Sequence, residues 1–134
     1  MTRVLVVDDD EDVRTMLVEM LASAGFEARA AATGLAALDE ARAADCDVLV
    51  TDLLMPDADG LDVIKAARQS AHPPAIVAIS GGSPRLPASI GLRLCEAFGA
   101  DRVLYKPFSK AELVETVNAV LATRGAPPQV SAAR

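Results

Sequence analysis

A chain of 134 residues, 51% apolar and 24% charged, has the composition of one globular domain and not of a disordered segment. Its net charge of −6 argues against non-specific nucleic-acid binding, which needs clustered cations, and aromatics at 3% leave no stacking platform for single strands. No apolar run approaches the roughly 18–20 residues of a membrane span, so the expected protein is cytoplasmic, with Cys46 and Cys95 as reduced, buried thiols outside any metal or redox spacing.

Val4–Val7 is a continuous β-branched-rich run, the pattern of a strand buried on both faces, and the aspartates that follow it exclude a signal peptide. From Asp10 the period changes. Val13, Met16, Leu17, Met20, Leu21 and Ala24 share one face of a helix that Gly25 stops. Phe26–Ala31 reads as a weaker strand, and Thr33 caps a second helix running to about Ala43. Val48–Thr51 is a third strand, followed by a turn-rich loop with Pro56 and Gly60. Leu61, Ile64 and Ala67 mark a third helix, and Ala75–Ile79 is the fourth strand. Ser80–Ser89, with paired glycines and two prolines, is a loop or a loop with one helical turn. Ile90, Leu94 and Phe98 form the stripe of a fourth helix, and Arg102–Tyr105 is the fifth strand. Ser109 and Glu112 have the spacing of a capping box, opening a last helix with Leu113, Val114, Val117, Val120 and Leu121 inward. Gly125 and Pro127–Pro128 end it, which leaves residues 124–134 as a flexible tail after a domain of residues 1–123.

Strands alternating with helices over short connections predict an α/β fold, a doubly wound parallel sheet with helices on both faces. Such sheets bind ligands outside the carboxyl ends of their strands, at the topological switch point. The polar residues expected there are Asp8, Asp9 and Asp10 after the first strand, Asp52 after the third, Ser80 after the fourth and Lys106 after the fifth. Each alone has an ordinary reading, as a helix cap, a turn former or a solvated lysine. Together they set several carboxylates, a hydroxyl and an ammonium on one edge. Crowded carboxylates need a counter-charge, and oxygen ligands with room for water suit Mg2+. Asp52, ionised at pH 7 and needing no general base, is then placed to attack a phosphoryl group, with Lys106 and Ser80 meeting the phosphoryl oxygens.

The runs Val4–Asp10, Thr51–Pro56 with Asp59-Gly60, Ala78–Gly81 and Lys106–Phe108 resemble those of response-regulator receiver domains of two-component signalling, over about residues 2–123. The resemblance implies a flavodoxin-like (βα)5 fold with strand order 2-1-3-4-5. It implies Asp52 as phosphoacceptor, Asp8 and Asp9 as metal-site acids, and the backbone carbonyl of Leu54 as a further Mg2+ ligand. Ser80 and Lys106 take the hydroxyl and lysine positions, the Lys106–Pro107 bond is cis, and Asp10 fits a helix cap better than a ligand. Expected partners are a sensor histidine kinase or histidine phosphotransfer protein and a downstream protein target. The expected protein is a stand-alone regulator that signals by binding and has no activity beyond its own phosphorylation and dephosphorylation. Two departures stand out. Val103 occupies a position that is often aromatic in the family, with Tyr105 on the same strand face as a partial substitute. The Gly81–Ser89 stretch is longer than usual, and its glycines and prolines suggest a loop that orders on phosphorylation.

A different class remains open at this point. Asp8 and Asp10 also form the D-x-D of haloacid-dehalogenase-like phosphohydrolases, with Asp8 as nucleophile, although Asp12 departs from that motif. A flavin module is disfavoured, because the acidic turn after the first strand repels phosphate. The single histidine, His72, reads as a surface residue.

Overall fold

Continuous apolar runs become the middle of a sheet because they bury both faces. In the computed structural model, residues 2–32, 46–53, 60–70, 72–80 and 99–123, with Ala36 and Arg93, are described. Within them lie β1 (Arg3–Val7), α1 (Glu11–Ser23), β2 (Glu27–Ala31), β3 (Val48–Asp52), α2 (Gly60–Arg68), β4 (Ala75–Ser80), β5 (Arg102–Tyr105) and α3 (Lys110–Thr123). The strands pair in parallel in the order β2-β1-β3-β4-β5, as expected from the sequence. Ala36 and Arg93 are helical and fall in the stretches where the second and fourth helices are expected. The Gly81–Ser89 loop, the Leu54 carbonyl, Cys95 and the 124–134 tail lie outside the described residues.

Side-chain alternation along the strands divides the core into two layers. Val4, Val6, Val48, Val50, Val77 and Ile79 pack with Leu17 and Leu21 of α1 and with Leu113, Val117 and Leu121 of α3. Leu5, Val7, Leu49, Ile76 and Ala78 pack with Val63, Ile64 and Ala67 of α2 on the other side. β2 is paired with β1 alone among the described strands and is exposed over most of its length, which accounts for its weak apolar signal.

Local chemistry sets the helix ends. Asp10 caps α1, its Oδ1 accepting from the Asp12 and Val13 amides at 2.9 and 3.3 Å. α1 ends in a Schellman motif. Gly25, at φ 95°, donates to the Ala22 carbonyl, and the Phe26 amide donates to that of Leu21. The capping box at α3 is closed from both sides, Glu112 N–H to Ser109 Oγ at 3.1 Å and Ser109 N–H to Glu112 Oε1 at 3.3 Å.

Two expectations need correction. Met16 is not in the core but 40% exposed, because the inward face of α1 is centred on Leu17, Leu21 and Ala24 and Met16 lies about 100° around the helix from Leu17. Cys46 is a half-buried thiol just before β3 instead of a buried one, packed against the α2-side core from its edge.

Asn118 was not expected inside. It lies among the apolar residues of α3, 7% exposed, and its Oδ1 has no hydrogen-bond partner among the described residues. A buried polar atom left unpaired costs about 1–3 kcal/mol. Asn118→Leu is therefore expected to raise the unfolding free energy by about 1 kcal/mol, read as a higher denaturant midpoint at unchanged m. A lower midpoint would mean that the amide is satisfied by bound water.

Candidate functional site

Parallel pairing brings the carboxyl ends of the strands to one edge, and the register decides which residues meet there. Val7 is level with Thr51, Asp52 with Ile79, and Ser80 with Tyr105. Asp8, Asp52, Ser80 and Lys106 therefore sit side by side where β1, β3, β4 and β5 end. The switch point falls at β1, from which the sheet continues to β2 on one side and β3 on the other.

Asp8 is 1% exposed, as is Ser80, whereas Asp9 lies at the surface and Asp52 keeps 13% of its side chain in contact with solvent. One carboxylate oxygen from each of Asp8, Asp9 and Asp52 falls within 4.8 Å of the others. Lys106 Nζ reaches in from the β5 end, 3.6 Å from Asp8 Oδ2 and 3.7 Å from Asp52 Oδ2. These separations are longer than a charge-assisted hydrogen bond, so the ammonium compensates both carboxylates without tying up either. The Lys106 amide donates to the Ser80 carbonyl at 2.9 Å, which locks the two strand ends together, and the Lys106–Pro107 peptide is cis, as the sequence motif implied.

Three carboxylates against one ammonium leave the cluster short of positive charge. Asp8 Oδ2 is buried and makes no hydrogen bond among the described residues, while Asp8 Oδ1 accepts from the Asp10 amide at 2.9 Å. A buried carboxylate oxygen without a donor, beside two further carboxylate oxygens, is the donor set of a hard divalent cation. The residues present fit such an ion. Asp10 does not join the cluster, because its side chain is engaged in capping α1.

The same contacts separate the two aspartates that were candidates for nucleophile. Asp8 is enclosed, with one oxygen already committed to the backbone. Asp52 is the more accessible of the two. Val103 packs at the edge of the α2-side core, and Tyr105 is 36% exposed. His72 is exposed, as expected.

Two features were missed in the sequence. Arg14 Nη1 donates to the Asp8 carbonyl at 3.0 Å, a contact whose only sequence signal is a long basic side chain one turn into the helix after the acidic run. Beside the acidic cluster, Val13, Met16, Lys106, Pro107 and Phe108 line an apolar groove of about 530 Å³.

The sequence matches the family model of the response regulator receiver domain over residues 4–118. It is similar to the transcriptional regulatory protein CpxR of Escherichia coli (strain K12), 39% identical over 121 residues that cover 90% of this chain and 50% of that protein. It is also similar to the transcriptional regulatory protein PrrA of Mycobacterium leprae, 41% identical over 124 residues, covering 92% and 52%. The chain spans about half the length of these curated relatives. Among solved structures, the chemotaxis protein CheY4 of Vibrio cholerae superposes with a TM-score of 0.77 at 34% identity, covering 90% of this chain and 99% of that one. The response regulator TrrA of Thermotoga maritima, in complex with Mg2+–BeF, superposes with a TM-score of 0.75 at 29% identity, covering 90% and 100%.

Proposed function

This chain belongs to the response regulator receiver family of two-component signalling, and from that premise we propose that it accepts a phosphoryl group on Asp52 from a histidine kinase or histidine phosphotransfer protein, with Mg2+ bound. One observation carries the reading. The Lys106 ammonium stands between the carboxylates of Asp8 and Asp52, at the same sheet edge as Asp9 and Ser80.

In this reading a carboxylate oxygen of Asp52 attacks phosphorus as the phosphorus–nitrogen bond of the donor imidazole breaks, its electron pair returning to nitrogen. Lys106 neutralises charge on the phosphoryl oxygens, and the Ser80 hydroxyl donates to one of them. Asp8, Asp9 and Asp52, with the Leu54 carbonyl that the family resemblance adds, would hold Mg2+, which would supply the positive charge that lets a phosphoryl group approach an acidic site. That TrrA, a similar response regulator, was obtained in complex with Mg2+–BeF supports a divalent metal in this reading. The apolar groove beside Lys106 gives a protein donor a surface to rest on.

The same proposal takes residues 1–123 as the receiver unit and the chain as a cytoplasmic regulator. It signals through a protein target and has no turnover beyond its own phosphorylation and dephosphorylation. Among the described residues, no helix is long and apolar enough to cross a membrane.

Incubation with a small acyl-phosphate donor and Mg2+ tests the reading. It predicts one hydroxylamine-labile phosphoryl group per chain, mapped to Asp52 by mass spectrometry and absent from Asp52→Asn. Label on Asp8, with sustained hydrolysis of phosphate esters, would instead make the chain a phosphohydrolase.

A further inference from the structure

We propose that Arg14 is a positioning residue that raises the metal affinity of the acidic site from the first turn of α1, an inference that rests on Asp8 and Asp9 holding a divalent cation. Helical side chains lean toward the N-terminus. Arg14, one turn into α1, therefore reaches back past the Asp10 cap to the end of β1, where its Nη1 donates to the Asp8 carbonyl at 3.0 Å.

That carbonyl belongs to the peptide joining Asp8 to Asp9, the two adjacent residues that supply two of the clustered carboxylates. Turning this peptide moves both side chains relative to Asp52. Arg14 holds it on one side. On the other, the Asp10 amide holds Asp8 Oδ1 at 2.9 Å, while Asp10 Oδ1 is itself tied to the Asp12 and Val13 amides. Asp8 is thus fixed at its carbonyl and at one carboxylate oxygen by residues at the start of the same helix. The oxygen left over, Oδ2, is buried and without a hydrogen bond among the described residues, with the Lys106 ammonium 3.6 Å away. A short relay runs from the half-buried face of α1 to the clustered carboxylates.

Charge and position make opposite predictions for this residue. A guanidinium near the site repels an incoming cation, so its removal on Coulombic grounds alone tightens metal binding. If Arg14 acts by holding the Asp8–Asp9 peptide, its removal weakens binding. Loss of a group that orients metal ligands costs about 10–100-fold in affinity, and one acting through a backbone carbonyl belongs at the lower end, about 10-fold.

The test is calorimetric titration of the full chain with MgCl2, without a phosphodonor, for the native protein, Arg14→Ala and Arg14→Lys. Melting curves are recorded with and without the metal. Arg14→Ala is expected to bind Mg2+ about 10-fold more weakly, and Arg14→Lys, which keeps the charge and one donor, to recover part of the loss. Without metal, the three proteins melt within about 3 °C of one another, while the Mg2+-induced rise is smaller for Arg14→Ala. Equal or tighter binding by Arg14→Ala overturns the proposal. So does a lower metal-free melting temperature with an unchanged Mg2+-induced rise, which would make the contact purely structural. If the native chain takes up no Mg2+, both the metal site and this inference fall. Native binding with an unaffected variant removes this inference alone.

Discussion

Asp9→Ala is expected to lose Mg2+ binding by about 100-fold or more and, with it, phosphoryl transfer to Asp52. Asp9 is exposed, so the change opens no cavity and leaves no buried group unpaired. It removes one of three carboxylates whose oxygens crowd within 4.8 Å. The metal-free fold therefore gains, because like charges are relieved, while the metal-bound form loses a ligand. A rise in the metal-free melting temperature together with a loss of Mg2+ uptake in calorimetry is the combined signature. Phosphorylation at the native rate in Asp9→Ala, or in excess EDTA, would remove the metal from the account.

Lys106→Met carries the second large effect, and its two readouts should move in opposite directions. The ammonium stands 3.6 and 3.7 Å from Asp8 and Asp52, so removing it makes the cluster more negative and tightens Mg2+. Transfer is nevertheless expected to slow by about 100–1,000-fold, the usual cost of removing one group that stabilises charge in a transition state. The Lys106 side chain is one-third exposed, and methionine keeps most of its apolar length, so the fold should survive the change. Tighter metal with slow phosphoryl incorporation from the same donor is the expected pair of results. An unaltered rate would assign Lys106 to structure only.

Much of this architecture was legible in the sequence because the central strands bury both faces. Val4–Val7 and Ala75–Ile79 have no polar side to confuse the reading, and each is followed directly by a site residue, Asp8 or Ser80. Asp8 and Asp52 are remote in sequence, but strand pairing alone brings them together, so the site residues could be expected from the order of the strands. Other features depend on how the elements settle against one another. Periodicity put Met16 with the core because it counts apolar residues and is blind to the rotation of the helix about its axis. Asn118 was invisible because its neighbours on α3 carry the burial and its own polarity argues for the surface. Arg14 was missed because its partner is a backbone carbonyl, reached only at the angle with which α1 leaves β1.

The central claim is that the Asp52 carboxylate receives a phosphoryl group in a pocket completed by metal and Lys106. Beryllofluoride, which mimics a phosphoryl group on a carboxylate, reports on that pocket without a kinase. Fluorine NMR of the full chain with beryllofluoride and Mg2+ should give bound-fluoride resonances that disappear on chelation of the metal and are absent from Asp52→Asn. Resonances that persist in Asp52→Asn and vanish in Asp8→Asn would contradict the account, because they would move the acceptor to the end of β1.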